Sequence, residues 1–128
     1  MPGVRRRRVL MKATTKLMRR AMSVAVVVLR ERLRWSQIRL AAEMNKWVTR
    51  KGGEMMRRFT ISRWERRQAS PSPTHRMALG KISAKNRYED LGAIFRALPA
   101  LAWTLVLALR GNGKKHGGNG NGNGNGDT

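Results

Sequence analysis

Between Leu10 and Arg67, apolar and cationic residues recur at steps of three, four and seven. That periodicity restricts this half of the chain to helices with an apolar stripe and charged flanks. Leu10, Leu17, Ala21, Val24 and Val28 share one helical face, while Lys12, Lys16 and Arg20 follow at four-residue steps on another. Residues 24–28 are rich in valine and alone would suit a buried strand. The helical spacing continues on both sides, which favours helix. A second stripe, Leu29, Leu33, Leu40, Met44 and Trp47, is bordered by Arg32, Arg39, Lys46 and Arg50. It is expected to form the core or the seam of a homodimer. Gly52-Gly53 should stop this helix, because paired glycines cost roughly 2 kcal/mol in a helix interior. Residues 54–67 read as a further helix, with Met55, Met56, Phe59 and Trp64 among Arg57, Arg58, Arg63, Arg66 and Arg67.

Composition shifts divide the chain into four zones. Residues 1–67 hold 20 of the 28 basic residues and read as a basic helical RNA-binding region. Residues 68–75 (QASPSPTH) are a polar Ser/Pro linker. Residues 76–110 read as an apolar helix. Within them, the nineteen largely apolar residues 91–109 reach the lower bound for crossing a bilayer, although Arg96 and Pro99 interrupt them. Residues 111–128 are a low-complexity Gly/Asn-rich tail expected to be disordered. The fold class that follows is all-α: a small bundle of amphipathic basic helices with a disordered C-terminal tail.

Charge bounds the function. The chain carries a formal net charge of +21 on 128 residues, with seven acids in all. Such a chain repels itself unless a polyanion neutralises it. Hydrophobic residues make up 41%, including eight Met and four Trp, which excludes a simple disordered basic tail. There is no Cys, so disulfides, thiolate metal sites and cysteine nucleophiles are excluded. His75 and His116 are the sole imidazoles and sit in Pro- or Gly-rich surroundings. No glycine loop of the phosphate-cradling type precedes a helix, and the acids are too few for paired acid–base chemistry. The sequence therefore predicts neither an enzyme nor a metal site, cofactor or small-molecule substrate.

A polyanion partner has several candidate contacts. Arg5, Arg6, Arg7 and Arg8 can each fork onto a phosphate, and the same four residues fit a nuclear import signal. Lys12, Lys16 and Arg20, then Arg32, Arg39, Lys46 and Arg50, and finally Arg57, Arg58, Arg63, Arg66 and Arg67 extend the cationic surface. No zinc-finger, helix-turn-helix or RNA-recognition signature is present, so binding is expected to be tolerant of sequence. Trp35, Trp47 and Trp64 read as core in preference to base-stacking platforms. Ser70 and Ser72 each precede Pro, and Ser70 follows Arg66-Arg67, a basophilic kinase pattern; phosphate there would compete with nucleic acid.

The Arg-rich start, the apolar run over residues 21–29 and the basic helices ending at Arg66-Arg67 resemble, by layout, the small capsid proteins of flaviviruses. The resemblance implies a helical dimer with one face toward membrane and a cationic face toward genomic RNA. It also implies a hydrophobic anchor after a dibasic cleavage point, a role residues 91–109 would fill. A virion, host-cytoplasmic, nucleolar or ER-membrane location would follow. The expectation is thus a structural protein that binds and packages single-stranded RNA. Its alternatives are a membrane-associated protein binding anionic lipid and an accessory protein coating duplex RNA in the manner of a silencing suppressor.

Overall fold

The computed structural model describes residues 2–51 and 55–117, with side chains described for 12–50 and 55–111. Among the described residues six α-helices follow one another: α1 (Pro2–Leu33), α2 (Gln37–Val48), α3 (Arg58–Glu65), α4 (Pro73–Lys85), α5 (Glu89–Arg96) and α6 (Pro99–Gly117). Among the described residues there is no strand, so the valine-rich run is helical. The long α1 is the spine; α3, α5 and α6 pack on it, and α2 and α4 close the bundle against α3 and α5.

One core runs through all six helices. From α1 it takes Ala21, Met22, Ala25, Val26 and Leu29, at the steps of one, three and four that hold a helical face. This face is turned from the one expected, since Val24 and Val28 are only half-buried. Leu40 and Met44 of α2, Ile61 and Trp64 of α3, Leu79 of α4, Leu91 and Phe95 of α5 and Val106 of α6 complete it. The stripe predicted as core or dimer seam is thus largely internal to one chain. Leu29, Leu40 and Met44 are fully buried, with Leu33 and Trp47 packed against them.

The stripe does not lie on one helix, contrary to expectation. The chain leaves α1 at Arg34, whose φ is +58°, and restarts at Ser36, whose side chain caps α2 by accepting from the Arg39 amide at 3.1 Å. Two hydrogen bonds close the break: the Arg34 amide donates to Glu31 O at 3.3 Å and the Trp35 amide to Arg30 O at 3.1 Å. This paired pattern ends helices with a left-handed residue, usually glycine. It recurs after α3, with Arg67 at φ +63°, and after α4, with Arg87 at φ +65°. Three helices therefore end on a left-handed arginine.

The remaining boundaries also differ from expectation. Gly52-Gly53 follows a 3-10 turn (Thr49–Lys51) that already extends α2, and the helix expected over 54–67 is confined to Arg58–Glu65. Asn45 closes this loop: its Oδ1 accepts from the Met56 amide at 2.7 Å and its Nδ2 donates to the Met56 carbonyl at 3.0 Å, which buries Met56. The Ser/Pro linker is shorter than 68–75, because Ser72 caps α4 and Pro73 opens it.

The single apolar helix expected over 76–110 is three helices. Arg87 stops α4, and Pro99 disfavours helical geometry at Leu98, separating α5 from α6. Among the described residues no helix is long and apolar enough to cross a membrane; residues 91–109 are divided between α5 and α6, whose Leu91, Phe95 and Val106 are buried in the core. Helix α6 continues beyond Gly111 to Gly117. Residues 118–128 of the expected tail lie outside the described residues.

Candidate nucleic-acid interface

Three of the five described acidic side chains are engaged within the bundle. Glu65 accepts from Arg30 Nε at 2.6 Å and from a second Arg30 nitrogen at 2.7 Å, and Gln37 Nε2 adds a third bond at 3.0 Å. Asp90 takes both terminal nitrogens of Arg32 at 3.0 Å. The Arg32 guanidinium holds the Asp90 carboxyl below the usual carboxylate range, and also lies 5.3 Å from the centre of the Tyr88 ring. Lys46 meets Glu43 at 3.1 Å. These are the three ion pairs among the described residues, and they engage only Arg30, Arg32 and Lys46 of its cations.

Cations line two grooves. The first, of about 680 Å³, is lined by Lys12, Thr15, Lys16, Arg19 and Arg20 of α1 and by Arg67 after α3. It brings together the predicted row Lys12, Lys16 and Arg20 with Arg67, and adds Arg19, which sequence reasoning passed over. Among the described residues no acidic side chain lines it. Arg20 is steadied by Trp103 of α6, its guanidinium carbon 4.6 Å from the ring centre. Arg19 Nε is buried and has no hydrogen-bond partner among the described residues. A guanidinium nitrogen is costly to leave unsatisfied. Arg67 is held here in a left-handed conformation that non-glycine residues avoid.

The second groove, of about 400 Å³, lies between α2 and α4. Trp35, Arg39, Glu43, Lys46, Trp47 and Arg50 form one wall, and Ile82, Lys85 and Asn86 the other. It unites the predicted Arg39, Lys46 and Arg50. Arg32 stands apart, engaged by Asp90. Trp35 and Trp47 are half-buried, and Trp64 is buried, with its ring 5.3 Å from that of His75. The core assignment thus holds for Trp64, while the other two share their surface between core and groove.

Other predicted contacts are scattered. Arg57, Arg58, Arg63 and Arg66 are exposed on and around α3, with Arg58 over Phe59 at 5.1 Å. The side chains of Arg5, Arg6, Arg7 and Arg8 lie outside the described residues, as does that of His116. Ser70 is half-buried. Ser72 is exposed, its Oγ accepting from the His75 amide at 3.3 Å and lying 3.1 Å from His75 Nδ1. Among the described residues no cluster of three His or carboxylate side chains stands close enough to hold a metal ion.

No family model, curated protein or solved structure matches the chain.

Proposed function

We infer that this protein binds RNA through its phosphates, without sequence preference, and that it condenses or packages the strand as small capsid proteins do. The observation that carries this reading is the first groove, where Lys12, Lys16, Arg19, Arg20 and Arg67 surround about 680 Å³ with no lining acid among the described residues. Like charges held this close repel one another, and a phosphate chain converts that cost into attraction. Neutralised on one molecule, the strand can recruit further copies, so assembly on RNA replaces assembly through a preformed dimer seam.

Substitution of exposed cations tests the assignment without threatening the fold. Lys12→Ala with Lys16→Ala weakens binding of any RNA, and flattens the dependence of log affinity on log salt by about 0.7 for each phosphate that is no longer neutralised. Lys81→Ala, on α4 and outside both grooves, leaves the slope unchanged. Unaltered affinity and slope in the Lys12/Lys16 variant would remove the first groove from the binding surface.

A further inference from the structure

We propose that the groove between α2 and α4 is a stacking site for unpaired nucleobases, so that the ligand is a single strand with its bases turned inward. The inference rests on the phosphate-binding reading above and adds what that reading lacks, a contact to the base.

Two tryptophans on the same wall carry it. Trp35 has the Arg39 guanidinium 4.9 Å from its ring centre, and Trp47 has that of Arg50 at 5.5 Å. Both rings are half-buried in the core and both line the groove, whereas Trp64 is buried. Each forms a pair in which a planar cation lies over an indole, and both arginines are exposed. Planar cations and aromatic rings are the surfaces on which single-stranded bases stack. A surface arginine placed only for solubility needs neither the ring nor the groove.

The local fold sets the spacing of the two pairs. Trp35 occupies the position after left-handed Arg34, where its amide bonds Arg30 O at 3.1 Å, and the Arg30 Nη1 donates to its carbonyl at 3.2 Å. Trp47 lies in the last turn of α2. Trp35 precedes the helix, and from the Ser36 cap to Trp47 the chain rises roughly 16 Å at about 1.5 Å per residue, so the two address different nucleotides and not the two faces of one base. Glu43, the acid in this groove, is neutralised by Lys46, and Lys85 stands on the opposite wall for the backbone. A volume of about 400 Å³ falls in the range of clefts that enclose organic ligands, about 300–1,000 Å³.

The test compares two fluorescent oligomers of equal length and charge on the full chain: a twelve-nucleotide oligoadenylate and an abasic ribose-phosphate twelve-mer. The intact protein is expected to bind the oligoadenylate about tenfold or more tightly, the contribution of one or two stacked bases. A Trp35→Leu/Trp47→Leu variant, with helicity checked by circular dichroism, loses that preference and retains its affinity for the abasic strand. Equal binding of the two oligomers by the intact protein overturns the stacking site while leaving the phosphate reading in place. Binding of neither oligomer overturns both.

Discussion

Arg30 of α1 clasps Glu65 at the end of α3 through two hydrogen bonds of 2.6 and 2.7 Å, spanning 35 residues of sequence. The carboxylate also receives Gln37 of α2, and the Glu65 carbonyl accepts from Ser23 Oγ at 2.7 Å, so three helices meet on one acidic residue. Both side chains are largely shielded, at 24% and 11% exposure. Glu65 raises the Arg30 pKa, which keeps the guanidinium charged at every accessible pH.

Removing one partner leaves a shielded, unpaired charge. Glu65→Gln is expected to cost about 2–3 kcal/mol, below the full penalty for a buried pair because Arg30 retains some contact with water. Replacing both, with Arg30→Met and Glu65→Met, costs less than the single change, since no orphaned charge remains. Urea denaturation of the three proteins measures the difference; a double variant less stable than Glu65→Gln would contradict this account.

The left-handed arginines predict the opposite sign. Arg34→Gly and Arg67→Gly each relieve a backbone penalty and are expected to stabilise by about 1 kcal/mol. Thermal melts would show a rise of several degrees for a chain of this size. Only Arg67→Gly should also weaken polyanion binding, because only Arg67 lines the first groove.

His75 gives the fold a pH dependence. Its imidazole is partly enclosed against Trp64, and burial lowers its pKa from the ordinary value near 6.5. The unfolded chain therefore protonates this group first. The stabilisation from neutral His75 is complete above about pH 6.5 and is lost progressively as pH falls below that value. The melting temperature of the natural chain should decline from pH 7 to pH 5, and His75→Gln should flatten that decline. An identical pH profile in the variant would show that the ring is not constrained as described.

Much of this architecture could be read from the residues themselves, and the failures have a common cause. Helical spacing identified the all-α class, the core role of Leu29, Leu40 and Met44, and the cationic row Lys12, Lys16 and Arg20. The breaks at Arg34 and Arg87 were hidden, because chain reversal is ordinarily signalled by glycine or asparagine and here falls on arginine, whereas the stop at Arg67 was marked by the polar Ser/Pro stretch after it. Missing the first of these merged α1 with α2. The break after Arg87, with that before Pro99, turned three helices into one apparent apolar segment. Ser36 and Ser72 were the available signals, each a helix cap. The grooves lay beyond sequence reasoning because each joins residues from separate helices: Arg67 reaches α1, and Lys85 faces Trp35 and Trp47 only after α4 folds against α2.

The central claim is that this charge exists to meet a phosphate polymer, and the salt dependence of RNA affinity tests it most directly. Titrating the full chain with a labelled single strand from 50 to 300 mM salt should give a linear fall of log affinity with log salt, of slope about −3.5 or steeper for five or more neutralised phosphates. An affinity that is the same at 50 and 300 mM would contradict it.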